Sequence, residues 1–339
     1  MTDPVFPPGT ERALPPDDLG FLRAFLREVC YSSPEVRALY AEAMSRMRRH
    51  CFAALSEAPT EDAARIAAQL SVDGIADLGS LIEPPRAADM LAYFRTRPVL
   101  AGHEPGVTDG QERDLAATRL ISHYGCYGAA DVLRCPHVLE IANDARILQA
   151  VEAYLGCPPT IYHVNAWWSF AHGGTAARWS QSLHRDLDEL RFVTMFIYLT
   201  PVDERTGAHR YIKHSHDKAQ LARALTAAGW QPSAIETAAQ ALFCGTGYAM
   251  SGTADDLLGH LAKVWQGPAG SAVLADTYGL HMGIPLVEGE RLMLWVRYGL
   301  GFPHEPAFGG GAGRYAATIA PRIPQTARAR YVNRLLLTD

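Results

Sequence analysis

The chain has 339 residues, 48% of them hydrophobic and 20% charged, with a formal net charge of −5. That is an ordinary globular balance, with room for one large domain or two modest ones. It lacks the clustered basic surface of a nucleic-acid binder, and no apolar run approaches the ~18 residues of a membrane span. The six cysteines (Cys30, Cys51, Cys126, Cys135, Cys157 and Cys244) are scattered, with no CxxC pair, and are expected to be free thiols in a reducing cytoplasm. The opening stretch MTDPVFPPGTERALPPDD has no basic segment leading into an apolar one, so neither a signal peptide nor an anchor is expected.

The first half reads as helical. DDLGFLRAFLREV and SPEVRALYAEAMSRMRRHCFAAL carry apolar residues at steps of three and four, with Ser33 as N-cap and Pro34 as first helical residue. A third helix is expected from TEDAARIAAQL, after Pro59, and a fourth from Pro84 to about Thr96, ahead of Pro98. DARILQAVEAYLG stops on Gly156.

Beyond Gly156 the texture changes. PTIYHVNAWWSF, SQSLHRDL, RFVTMFIYLTPV, GSAVLADTY, GLHMGIPLV and RLMLWVRYGLGF are short and rich in β-branched and aromatic residues, with Gly, Pro and Asp turns between them. That pattern predicts an antiparallel sandwich or barrel. A stretch at about 218–262 interrupts the strands with helical pieces and the loop CGTGYAMSGTADD, the kind of insertion that serves as a lid or binding loop. The arginine-dotted tail from Gly309 reads as a solvated arm. The fold class is α+β with a mainly β core: one structural unit, with a helical N-terminal half packed against the strands.

Within SQSLHRDLDELRF, His184 and Asp186 stand two apart. On a strand they face the same way, with Arg185 on the opposite face. One imidazole and one carboxylate are two ligands of the 2-His-1-carboxylate triad that holds Fe(II) with open positions. The triplet alone is a weak signal, since roughly one HxD is expected by chance in a chain of this composition. His281 supplies a third ligand on a downstream strand, and Arg291 follows ten residues later. A cation there suits the distal carboxylate of 2-oxoglutarate, which arginine can meet through two parallel hydrogen bonds. Three protein ligands leave room at the metal for a bidentate 2-oxo acid and for O2. Arg297, evenly spaced from Arg291, shares its strand face and is the alternative anchor.

These segments resemble the phytanoyl-CoA dioxygenase-like family of Fe(II)/2-oxoglutarate-dependent oxygenases. RFVTMFIYLTPVDERTGAHRYIKHSH is similar to the family's strand–turn–strand after HxD, with Gly207, Ala208 and the closing Ser215-His216. GPAGSAVLADTYGLHMG resembles its distal-histidine strand, and LSVDGIADLGSLIEPPRAADM, with Asp73-Gly74, its opening turn and helix. The resemblance runs from about Leu70 to Gly301. It implies a double-stranded β-helix (jelly roll) spanning 70–339, preceded by a helical extension over 1–69. It also implies Fe(II) on His184, Asp186 and His281, 2-oxoglutarate on Arg291, and a co-substrate contact near Asn165. The implied reaction uses O2 to hydroxylate or otherwise oxidise an unactivated C–H of a small molecule, releasing succinate and CO2. Met293 stands where some relatives have serine, and WWSFAHGGTAARWSQS replaces the family's lysine-proline step before HxD.

Two other readings compete. His209, His214 and His216 give a cupin-like HxH, which implies a metal-dependent lyase or isomerase, but position 220 is Gln and Glu236 is distant. The other reading is a non-catalytic jelly-roll binding module. A halogenase of the same fold needs the carboxylate position vacated for halide, and Asp186 fills it. Trp167, Trp168 and Trp179 flank the proposed site, either as core or as pocket wall.

Overall fold

The computed structural model of the protein describes residues 24–102, 111–171, 181–243, 258–301 and 319–337. Helix α1 (Pro34–Cys51) begins as the sequence predicts, with Pro34 at its first position and the Ser33 hydroxyl accepting from Val36 N at 3.3 Å. Its buried stripe is not the apolar one. Arg37, Ala41, Ser45 and Arg48 are buried, while Val36, Leu39, Tyr40 and Met47 are exposed. The guanidinium groups explain the inversion. Arg37 donates to Glu189 O at 2.9 Å and lies 3.6 Å over the Tyr278 ring, and Arg48 donates to Tyr331 Oη at 2.6 Å.

Helix α2 (Glu61–Asp73) is capped by Thr60 and buries Ala63, Ile66, Ala67 and Leu70, one stripe at helical spacing. Helix α3 spans Pro84–Arg95, and helix α4 (Ala145–Leu155) is capped by Asp144. Helices α2 and α4 both end on a glycine in the left-handed region, Gly74 and Gly156, each at φ 78°. No helix among the described residues is long and apolar enough to cross a membrane.

The strands are β1 (Ile75–Ser80), β2 (Val99–Ala101), β3 (Glu112–Arg113), β4 (Tyr124–Cys126), β5 (Thr160–Phe170), β6 (Phe192–Tyr198), β7 (His209–Ile212), β8 (Ala262–Trp265), β9 (Ser271–Ala275), β10 (His281–Gly283) and β11 (Glu290–Gly299). Eight form a sheet in the order β1-β9-β6-β11-β5-β4-β2-β3, and three form a second in the order β10-β7-β8. Every pairing is antiparallel.

Alternation along the strands separates two cores. Val193, Met195, Ile197, Leu292, Leu294 and Val296 face the helices, joined there by Ile66, Leu70, Ile147 and Val151. On the other face Phe196, Tyr198, Val273 and Met293 meet Ala208, Tyr211 and Trp265 of the small sheet. The large sheet therefore lies between a helical layer and the small sheet. Burying each large apolar side chain contributes about 1.5–3 kcal/mol, so both faces of the central strands are held by packing.

The insertion after β7 carries helices α5 (Lys218–Ala227) and α6 (Pro232–Phe243), while the glycine-serine loop at 244–256 lies outside the described residues. Over residues 319–337 the C-terminal segment is not a solvated arm, while 309–318 lie outside the described residues. Ile319, Ile323, Tyr331, Val332 and Leu336 lie in the main core, and Arg328 donates to Glu152 Oε2 at 2.7 Å. The arginines obscured an apolar stripe that packs on β5 through the short helices Ala327–Val332 and Arg334–Leu337.

Candidate metal centre

SQSLHRDL is not a sheet strand. His184 makes an isolated bridge with His281, exchanging backbone bonds at 3.0 and 2.9 Å, and Asp186 N donates to Thr277 O at 2.8 Å. The segment is thus pinned directly on the 277–281 stretch, which brings all three predicted ligands together. His184 Nε2 lies 3.7 Å from Asp186 Oδ1, and His281 Nε2 lies 3.7 Å from Asp186 Oδ2. One donor atom from each residue fits within 4.8 Å of the others, and this is the one such group of three or more among the described residues.

The imidazoles are oriented from behind. His184 Nδ1 is 2.8 Å from Ser182 O, and His281 Nδ1 is 2.9 Å from Gly279 O. A carbonyl only accepts, so each Nδ1 carries a hydrogen, and this turns each Nε2 toward the shared point. Burial, reinforced by neighbouring His184, lowers the His281 pKa to about 4, which keeps that ring neutral. For Asp186 burial acts upward, but Arg297, His281 and His184 together with a Thr277 hydrogen bond outweigh it and bring its pKa down to about 2. An ionised carboxylate with two imidazoles aimed at one point is the donor set of an open divalent-metal site.

Arg185 leaves on the opposite face, as expected, yet it is buried rather than solvated. Its guanidinium donates to Leu242 O at 3.0 Å, Ser215 O at 2.7 Å and Tyr278 O at 2.5 Å. It therefore ties the end of α6 to the segments on either side of the ligands.

Strand β11 presents Arg291, Met293, Trp295 and Arg297 to a cavity of about 410 Å3 that also contains the three ligands and Asn165. That volume is typical of a small-molecule site. The two arginines differ in their partners. Arg297 Nη2 lies 2.7 Å from Asp186 Oδ2, its Nη1 pairs with Asp188, and its guanidinium stacks 3.7 Å over the Trp295 ring. Arg291 donates to Ser169 Oγ at 3.0 Å and to Gly207 O, and has no carboxylate partner among the described residues. Its Nε is buried without a hydrogen-bond partner among the described residues. A Cβ added at Gly283 would sit 3.4 Å from both terminal nitrogens, so the absent side chain leaves the front of the guanidinium open to the cavity. A buried cation with unmatched charge and free space before it fits an anionic ligand.

Asn165 lines the same cavity, opposite Trp295 in register, with its Oδ1 accepting from Ala166 N at 2.8 Å. Trp167 lines the cavity, whereas Trp168 is buried on the helix side, its Nε1 donating to Tyr127 Oη at 2.6 Å. Trp179 lies outside the described residues.

The three histidines of the HxH reading are separated. His214 Nδ1 is 2.7 Å from Val72 O and His216 Nε2 is 3.3 Å from Ser71 O, so both fasten the end of α2. Ser215 closes the strand end, its hydroxyl donating to Ile212 O at 2.6 Å and accepting from Leu280 N at 2.7 Å. His209 alone enters the cavity, its ring parallel to His281 with centroids 5.5 Å apart. Its position two residues beyond Gly207, on the inward phase of β7, was the available sequence signal. Tyr31 also lines the cavity, a contribution from the turn between the helical residues 24–30 and α1 that sequence patterning did not mark.

No protein-family model matches this chain, and no curated protein does. Among solved structures it is similar to EctD from S. alaskensis with 2-oxoglutarate and 5-hydroxyectoine, at 15% identity over 72% of this chain and 77% of that one, with a TM-score of 0.48. It is similar to the epimerase SnoN in complex with Fe3+, alpha ketoglutarate and nogalamycin RO, at 14% identity over 70% and 83%, with a TM-score of 0.47. It is also similar to HygX from Streptomyces hygroscopicus with nickel, 2-oxoglutarate and hygromycin B bound, at 13% identity over 69% and 86%, with a TM-score of 0.42.

Proposed function

We propose that the chain is an Fe(II)- and 2-oxoglutarate-dependent oxygenase of the jelly-roll, phytanoyl-CoA dioxygenase-like type, acting on a C–H bond of a small molecule. The observation that carries this reading is the convergence of His184 Nε2, an Asp186 carboxylate oxygen and His281 Nε2, with both Nδ1 atoms fixed on carbonyls. The buried Arg291, without a carboxylate partner among the described residues, supplies the second element. In this reading His184, Asp186 and His281 hold the metal, and Arg291 receives the distal carboxylate of 2-oxoglutarate. With metal and co-substrate bound, oxidative decarboxylation to succinate and CO2 supplies the oxidising chemistry.

The chain's own part is orientation and shielding. Arg297 keeps Asp186 ionised and aimed at the ligand point. Trp167, Trp295, Phe196 and Tyr124 line the cavity and give a substrate an apolar surface. Residues 24–69 act as a brace within the same unit, since Arg37 clamps the Glu189 backbone and the Tyr278 ring beside the ligand segments.

The test is anaerobic addition of Fe(II) and then 2-oxoglutarate to the purified protein. A weak visible charge-transfer band should appear only with both present, and Asp186→Ala should abolish it. A wild-type protein that binds no Fe(II), or an Asp186→Ala variant with unchanged metal affinity, would refute the assignment. Succinate release on exposure to O2 then provides the screen for substrates.

A further inference from the structure

We propose that His209 is a binding residue for the 2-oxo acid, donating a hydrogen bond from its imidazole to a carboxylate oxygen of the acid between the metal ligands and Arg291. This rests on the oxygenase reading above. Its position follows from register. His209 stands opposite Gly283 in the β7–β10 pairing, and Gly283 is two residues from His281 on the same strand face. Gly283 is also the residue whose missing side chain opens the space before the Arg291 guanidinium. Arg291 itself donates to Gly207 O, two residues before His209. Gly207 adopts φ 92°, a left-handed conformation that glycine takes without strain, and turns its carbonyl to that donor.

The ring is thus placed along the path between the ligand point and the cation. It lies parallel to His281, packs on Phe196 with centroids 4.7 Å apart, and is buried to 3% exposure. Its Nε2 has no hydrogen-bond partner among the described residues. A buried polar atom without a partner is costly, and the group lining this cavity next to an unmatched cation has a natural complement in an anionic oxygen.

The experiment separates metal binding from acid binding in the full chain. Mn(II) serves as a redox-stable stand-in, its binding followed by electron paramagnetic resonance, and 2-oxoglutarate binding to the Mn(II)-loaded protein is followed by calorimetry. Wild type, His209→Phe and His209→Gln should bind Mn(II) within about twofold of one another. His209→Phe should lose about tenfold or more in 2-oxoglutarate affinity, the scale of one hydrogen bond to a charged group, while His209→Gln keeps most of it. Thermal unfolding checks that the variants are folded, and His209→Leu carries the same expectation if the phenylalanine is too large. A folded His209→Phe that binds 2-oxoglutarate as wild type does overturns the proposal alone. A variant that loses Mn(II) equally overturns it by assigning His209 to the metal site. A wild-type protein that holds Mn(II) but not 2-oxoglutarate overturns the oxygenase reading, and this assignment with it.

Discussion

Arg297 reaches across the cavity to Asp186, its Nη2 lying 2.7 Å from the same carboxylate oxygen that faces His281 Nε2 at 3.7 Å. One cation therefore sets both the charge and the aim of the only carboxylate in the candidate triad, and a second carboxylate, Asp188, holds that cation in place.

Replacing Arg297 by Met should destabilise the metal-free protein by about 3–5 kcal/mol at pH 7, because two carboxylates lose their buried partner. The wild-type Asp186 pKa is depressed to about 2, so its contribution is fully present above the unfolded carboxylate range and is lost as pH falls through that value. In the variant, burial acts unopposed by the arginine and the carboxyl titrates higher. The gap between the two proteins should therefore narrow as pH falls from 7 to 4, read from urea midpoints. A gap that stays constant over that range would show that the carboxylates are not its source.

Gly283→Val should place a side chain in front of the Arg291 guanidinium, and Arg291→Met should remove the guanidinium itself. Both variants are expected to lower 2-oxoglutarate affinity about tenfold or more while metal affinity stays near wild type. If Arg291→Met leaves the co-substrate requirement unaltered and Arg297→Met abolishes co-substrate binding, the anchor is Arg297.

Arg185→Met should cost about 3–5 kcal/mol of stability and weaken metal binding, although Arg185 touches no ligand atom. Three buried carbonyls, of Leu242, Ser215 and Tyr278, lose their shared donor. Arg185→Lys should recover only part of this, since an ammonium cannot span three acceptors arranged around a planar fork. Urea unfolding and metal titration of the two variants check it. Full recovery by lysine would reduce the role of Arg185 to charge alone.

Leu336→Ala should destabilise the protein by about 2–5 kcal/mol, the cost of a cavity in a packed core. A solvated arm would give no measurable change in denaturation midpoint.

The sequence exposed the parts of this molecule that repeat at short range. Ser33 caps a helix and Gly156 ends one, each by a local rule. That His184, Asp186 and His281 would come together was legible because the chemistry of a metal-binding triad restricts residue type, and Arg291 could be sought on the same cavity wall from its spacing. What was illegible depends on tertiary partners. The apolar residues of α1 gave no sign that Arg37 and Arg48 would be its buried face, since Glu189, Tyr278 and Tyr331 lie far along the chain. The C-terminal arginines read as solvent-facing for the same reason. His209 was grouped with His214 and His216 by proximity in sequence, and only the pairing of β7 with β10 separates it from them.

Strand β11 carries Leu292, Leu294 and Val296 toward the helices and Arg291, Met293, Trp295 and Arg297 toward the cavity. A slip of one residue would drive both guanidinium groups into an apolar layer and turn three aliphatic side chains onto the ligand point. The register of this one strand therefore decides at once which residues seal the helical core and which line the cavity, so a folding error there could not spare one and damage the other.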